Sequence, residues 1–293
     1  MDLDRLPPYL KIPWDAGWRL VMYDDGVENA GYIAFTALLA LFPFLIFLAA
    51  LAGFLGESET ADTFVRNLFE LMPDDVTETL RPAVAEVLSA RRTGLLTVGI
   101  LVTLWVASNG IEALRTGLNR AYGVGEWRPI WWRRLQAIAF VIIGAFALFL
   151  ISLTVLLGPV VWALLGSVAY LHLSENTWVL VLRGVIATVV LFGALLILHY
   201  YLPNGREPVR YLLPGVVATI VLWIVSAYAF SWYLGTLADY SVTYGSLGGV
   251  IITLVFFYLA AFIFLYGAEL NAAYIRHRQG KRQEEPVESE ADD

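Results

Sequence analysis

The stretch VIITLVFFYLAAFIFLYGAELNAAY, residues 250–274, decides the fold. From Leu247 to Ala268 about 22 residues pass without a charge, and at roughly 1.5 Å each they cover the roughly 30 Å of a bilayer's hydrocarbon core. A carboxylate, Glu269, closes the run, with Asn271 two residues on. The dipole at a helix C-terminus disfavours a carboxylate, so Glu269 wants a cationic partner or a proton. Arg276, seven residues further, shares its face.

Working outward, the composition agrees with this span. Hydrophobic residues make up 59% of the chain and charged ones 15%, at a mean hydropathy of +0.68. Several uncharged runs exceed the length of a buried core helix. The fold class is therefore all-α, a polytopic membrane helical bundle. No cysteine is present, which excludes disulfides, iron–sulfur clusters and thiol chemistry. The net charge of −7 comes from acids gathered in one loop and the tail, and leaves no basic footprint for nucleic acid. The first apolar run lacks a signal-peptide cleavage pattern, so it is expected to remain as the first span.

In chain order the reading is as follows. Residues 1–30 form a polar cytoplasmic lead-in, with Trp14 and Trp18 at the membrane interface. A membrane domain covers 31–274, with about six transmembrane helices at about 31–55, 93–111, 135–158, 179–202, 211–235 and 248–270. Pro43 is expected to kink the first. Between the first two spans, residues 57–92 carry eight acids and four arginines. Phe64, Val65, Leu68 and Phe69 make one apolar face and Leu80, Val84, Val87 and Leu88 another, with Pro73-Asp74-Asp75 between. This predicts an extracytoplasmic amphipathic helical hairpin, whose plain role is a structural cap. Asn109 and Glu112 have capping-box spacing, so a helix is expected to restart or bend there. Gly123 is a natural stop. The third span is expected to break at Gly158-Pro159, leaving 160–173 interfacial or re-entrant. Residues 275–293 are expected to be a disordered cytoplasmic tail.

Basic residues set the orientation. With six spans, fourteen Lys and Arg fall on the side of the termini and four on the other, leaving Arg183 within a span. Both termini are then cytoplasmic by the positive-inside rule. On that topology the 109–122 helix, the Pro203-Asn204 turn and Glu269-Asn271 lie at the cytoplasmic ends of their spans, so the polar motifs converge on one face.

GYIAFTALLALFPFLIF at 31–47, SNGIEALRTGLNRAYGV at 108–124, YLPN at 201–204, PGVVATIVLW at 214–223, YSVTYGSLGGVI at 240–251 and GAELNAA at 267–273 resemble blocks of the YihY/BrkB family. Phe256-Phe257-Tyr258 departs from that family's Trp-x-Tyr, an aromatic exchange. The resemblance implies a bacterial inner (plasma) membrane protein. The family is named partly for a serum-resistance factor and was long mislabelled ribonuclease BN, and some members have been proposed to export small molecules. It implies no catalytic residue to carry onto this chain.

Chemistry must then be sought in the residues themselves. Metal-dependent RNA hydrolysis needs clustered ligands. The three histidines, His172, His199 and His277, lie in separate regions with no ligand spacing. No P-loop, nucleophile elbow or zincin motif occurs, so no catalytic residue, metal or cofactor is assigned and the protein is not expected to be an enzyme. Ionisable and polar residues at membrane depth often mark pathways. The substrate or ion-pathway candidates are Asn109, Glu112, Arg115, Asn119, Asn204, Glu269 and Asn271, with Arg183 and Asp239 as outer-side candidates. Against this, Glu112 and Arg115 are spaced to pair on one helix, and Glu269 could serve only to lock the last helix to the 109–122 helix. Two functions follow. One is a secondary permease or exporter of a small or amphiphilic molecule, a lipid included. The other is a non-transporting protein that organises envelope lipids or protein partners. The bilayer is a partner in either case, and self-association into a homo-oligomer is left open.

Overall fold

The computed structural model describes residues 7–55, 93–166, 175–236 and 247–284. They form seven helices: α1 (Pro8–Met22), α2 (Gly26–Leu55), α3 (Thr93–Ala121), α4 (Ile130–Gly166), α5 (Glu175–Tyr201), α6 (Val209–Thr236) and α7 (Leu247–Glu284). No strand occurs among the described residues. The expected hairpin at 57–92 lies outside them, as does Asp239.

Four helices contain stretches long and apolar enough to cross a membrane: Ile130–Leu148, Gly184–Tyr201, Val209–Tyr233 and Val250–Gln279, with a shorter apolar helix at Gly26–Leu41. Only 11% to 28% of the 18 most apolar residues of each of the four are buried within the protein, although the hydropathy is 1.3 to 2.5. A soluble protein does not leave so much apolar surface uncovered. Along α6, for example, Val217, Val221, Ile224, Val225, Tyr228 and Trp232 all face outward. Lipid is the medium that such a face fits, and the fold is a helical membrane bundle.

Helices α2 to α7 touch in chain order, and α7 returns to α2, so the six close a ring. α7 also meets α3 across it, and α1 lies on α7 and α2. Apolar attraction between helices is weak in lipid, so close backbone approach and hydrogen bonds carry the packing. At the α6–α7 crossing a Cβ added to Gly215 would stand 1.9 Å from the Gly267 carbonyl oxygen, and one on Gly267 would stand 2.0 Å from Thr219 Oγ1. Only glycine lets these two backbones meet. Trp223 Nε1 adds a 2.9 Å hydrogen bond to the Ala260 carbonyl on the same interface.

Several boundaries differ from expectation. The lead-in is helical: Ala16 and Leu20 of α1 are buried four residues apart, α1 ends at Met22, and α2 already starts at Gly26. Between them Asp25 takes a left-handed φ of 47°. α3 runs straight through Asn109, with no restart. The Asn109 side chain does not cap the helix, because its Oδ1 accepts from Arg134 Nη1 at 2.8 Å. α4 continues through Gly158-Pro159 to Gly166 instead of breaking. A proline removes one N–H and displaces one carbonyl, which membrane helices tolerate. Residues 160–166 are thus helical, and 167–174 lie outside the described residues. Nor is 275–284 disordered, since α7 extends to Glu284. Ile275 is buried there, and Arg278 donates from Nη2 to the Tyr274 hydroxyl at 3.1 Å. The stop at Gly123 occurs as read: with φ 65°, it donates to the Arg120 carbonyl while Val124 donates to that of Asn119. That pair of bonds is the Schellman closure.

Candidate functional site: buried polar clusters at one end of the ring

The polar candidates gather at one end of the bundle, in three separate groups. The first is on α7. Glu269 is 0% exposed, and neither carboxylate oxygen accepts a hydrogen bond. Its nearest cation is Arg276, with Nη2 3.7 Å from Oε2. The same nitrogen stands 3.4 Å from Asp15 Oδ2 on α1. Asp24 and Arg19, themselves paired at 3.6 Å, complete the charged surroundings of Glu269. The α1 segment and its turn therefore cover the carboxylate. Glu269 does not lock α7 to α3, and its partner is the arginine two turns on.

The second group joins four helices. Pro214 opens the first turns of α6, and the N–H of Gly215 donates to Asn271 Oδ1 on α7 at 2.7 Å. That bond fixes the amide orientation, so Asn271 Nδ2 faces the Tyr122 hydroxyl, 3.1 Å away at the end of α3. The hydroxyl in turn lies 2.9 Å from His199 Nδ1 on α5. Tyr122 accepts from Asn271, and its bond with Nδ1 runs in the direction set by the imidazole tautomer, which also decides whether Nε2 carries a proton. That Nε2 is buried without a partner, with the Phe264 ring centred 5.0 Å from the imidazole. Burial raises the Tyr122 pKa, which keeps its proton available for the bond.

The third group ties α3 to α4 and to the α5–α6 turn. Arg115, 1% exposed, pairs with Glu112 and donates from Nη2 to the Arg133 carbonyl and Gln136 Oε1, each at 3.2 Å. Gln136 Oε1 also accepts from Arg128 Nη1 at 3.1 Å, and Gln136 Nε2 donates to the Tyr201 carbonyl at 2.7 Å. Arg128 holds Glu126 in a two-pronged pair, Nε to Oε1 and Nη2 to Oε2, both 2.8 Å. Asn119 donates to Glu126 Oε2 at 3.0 Å and accepts from the Asn204 N–H at 2.9 Å. Burial would raise the pKa of Glu126, but the bonds from Arg128 and Asn119 outweigh it and hold the carboxyl down at about 2.

Two voids flank α3. Arg115, Asn119, Arg120, Glu126 and Arg133 border a pocket of about 220 Å³. Nearer the middle of α3, Ile33, Phe44, Ile111, Leu114, Phe140 and Gly144 border an apolar cavity of about 310 Å³ between α2, α3 and α4. Among the described residues no three His, Asp or Glu side chains come together as a metal site.

The structure thus brings Glu112, Arg115, Asn119 and Asn204 into one network, and gives Asn109 to Arg134. Glu269 and Asn271, two residues apart, belong to different groups. Arg183 lies on α5, but its side chain is outside the described residues. Tyr122 and His199 were missed as a site. Tyr122 reads as part of an apolar stripe, and His199 was weighed only as a metal ligand, although a lone imidazole in an apolar span was itself a signal. Glu126, Arg128 and Gln136 were also missed, because their stretch reads as an ordinary membrane boundary.

A family model described as virulence factor BrkB matches residues 18–292. The chain belongs to the BrkB family. One relative, YfkH of Bacillus subtilis (strain 168), named as ribonuclease-like, is 33% identical over 89% of this chain and 94% of its own length. A relative in Aliivibrio salmonicida (strain LFI1238), the UPF0761 membrane protein VSAL_I2938, is 30% identical over 90% of this chain and 84% of its own. Another UPF0761 membrane protein, from Pseudoalteromonas atlantica, is 30% identical over 84% and 81%. No solved structure matches the chain. This BrkB-family chain is accordingly a multi-pass membrane protein.

Proposed function

We propose that this protein is a secondary permease or exporter of a small or amphiphilic molecule in the bacterial inner membrane. Helices α2 to α7 are its six spans, and both termini are cytoplasmic. The observation that carries the reading is Glu269: a carboxyl group with no exposed surface, in a membrane helix, set among Arg276, Asp24 and Arg19. Such a group is costly, and in membrane proteins it commonly serves a proton or a substrate. The orientation is supported by the excess of basic residues on the side of the termini. The name carried by YfkH does not enter this reading.

The test compares everted membrane vesicles carrying the native protein or Glu269→Gln, both at matched levels and with matched unfolding temperatures. A library of small amphiphiles is offered under an imposed pH gradient, and uptake is read by mass spectrometry. The native protein is expected to accumulate at least one compound that Glu269→Gln does not. Identical uptake profiles would remove Glu269 from the mechanism. Uptake no greater than in vesicles lacking the protein would favour the second reading, a non-transporting organiser of envelope lipids or partners. That reading draws support from the Arg115–Arg128 network, whose hydrogen bonds tie α3 to α4 and to the α5–α6 turn.

A further inference from the structure

Five arginines gather where α3 meets the start of α4: Arg115, Arg120, Arg128, Arg133 and Arg134. Three carboxylates answer them. Glu112 pairs with Arg115, Asp25 with Arg120 and Glu126 with Arg128. Arg134 is engaged by the neutral oxygens of Ser108 and Asn109, and its guanidinium lies 4.3 Å from the Trp105 ring centre. Arg133 has no side-chain partner among the described residues, and its Nε is buried without an acceptor. Arg115 likewise keeps a buried Nε–H that nothing accepts.

Arg133 and Arg115 both border the pocket of about 220 Å³. The Arg133 guanidinium, beside Arg115 and Arg120, gives that pocket surplus positive charge, complementary to an anion with several acceptor oxygens. A guanidinium fork matches phosphate in this way. The depth is telling as well. Trp127, Trp131 and Trp132 are 86%, 78% and 57% exposed beside it, the arrangement of an aromatic belt at headgroup level. Seven residues beyond Arg133 on α4, about 10 Å along the axis, Phe140 borders the apolar cavity of about 310 Å³. A polar pocket at headgroup level with an apolar cavity about one chain segment deeper, on the same two helices, has the layout of an amphiphile.

We propose that the pocket between α3 and α4 binds a phosphate-bearing anion, with a membrane lipid's phosphate against Arg133 and Arg115 and an acyl chain in the apolar cavity. Basic pockets between membrane helices are suited to anionic headgroups. Free inorganic phosphate shares the headgroup's chemistry. Binding here does not depend on the permease reading, because a lipid can be held without being moved.

The test uses the full chain in neutral detergent. Native mass spectrometry compares phosphatidylglycerol with diacylglycerol of the same chains, and thermal unfolding is followed with inorganic phosphate added alone. The native protein is expected to prefer phosphatidylglycerol about tenfold or more, as for hydrogen bonds to a charged group. Arg133→Gln should remove that preference. Thr116→Glu, at an exposed position on the pocket rim, should remove it without altering a buried side chain, and decides the matter if Arg133→Gln does not fold. Arg210→Gln, exposed at the start of α6, should leave it intact. A lipid preference with no effect of phosphate identifies the lipid as the source. A thermal shift by phosphate that Thr116→Glu abolishes identifies free phosphate as a ligand of the same pocket. Equal binding of both lipids with no phosphate shift, or a preference that survives both pocket variants, overturns the proposal.

Discussion

Asn271 Oδ1 sits 2.7 Å from the backbone nitrogen of Gly215, so a side chain of α7 completes the hydrogen bonding of α6 at its proline-opened turn. Through its other amide atom the same side chain reaches Tyr122 at 3.1 Å. One residue therefore fixes the relative register of three helices.

Asn271→Leu leaves the Gly215 N–H and the Tyr122 hydroxyl without their partner, in a site where Asn271 is 0% exposed. Each orphaned buried group costs roughly 1–3 kcal/mol. Asn271→Asp keeps an acceptor for Gly215 and loses the donor to Tyr122. Both variants are expected to unfold below the native temperature in detergent, Asp because the acceptor it keeps is offset by burial of a charge. An unchanged temperature for Leu would remove the residue from the packing account.

The Gly215–Gly267 crossing predicts a sharp contrast between glycines. Gly267→Ala puts a methyl group 2.0 Å from Thr219 Oγ1, so α6 and α7 must separate. Overpacking of this kind costs about 1–3 kcal/mol or more. Gly144→Ala on α4 meets nothing within 4 Å, and should change stability by less than about 0.5 kcal/mol. Parallel denaturation of the two variants in detergent checks this.

Glu126 predicts a pH dependence with a definite sign. Its folded pKa of about 2 lies below the reference value of 4.5, so its contribution is fully present above pH 4.5 and lost as the pH falls toward 2. Arg128 and Asn119 face it from the loop and from α3. The difference in unfolding temperature between native protein and Glu126→Gln should be constant from pH 7 down to about 5 and shrink below that. A difference that grew on acidification would contradict the geometry.

Arg276 and Glu269 should couple. Arg276→Gln takes away the nearest cation of a buried carboxylate, which in a partly exposed pair such as this costs roughly 1–3 kcal/mol. The arginine side chain is 37% exposed, which favours the lower part of that range. In a Glu269→Gln background the same substitution should cost markedly less, which a double-mutant cycle measures. Strict additivity would mean that the 3.7 Å approach carries no energy.

Features carried by short spacings were legible in the sequence. The membrane class, the Gly123 stop, the Glu112–Arg115 pair at three residues and the shared face of Glu269 and Arg276 all follow from local geometry. What escaped depends on distant partners. Asn271 finds Gly215 across 56 residues and Tyr122 across 149, and no periodicity encodes either meeting. The spacing of Asn109 to Glu112 fits a helix cap, yet Arg134, 25 residues later, takes its oxygen. The tail reads as disordered by composition, but its first ten residues stay helical because Ile275 is buried and Arg276 reaches α1. Convergence of the polar motifs on one end was foreseeable. Their division into three groups was not.

Arg276 is shared. Its Nη2 stands between Asp15 of α1 and Glu269 of α7, at 3.4 and 3.7 Å. The amino-terminal helix thereby acts as a latch on a fully buried carboxylate of the bundle. Lifting α1 would remove one of the two anions that hold the guanidinium, and would expose to water an acid that is fully buried. A tag, a truncation or a binding protein at the amino terminus would then be felt inside the membrane, with no change to any residue of the spans.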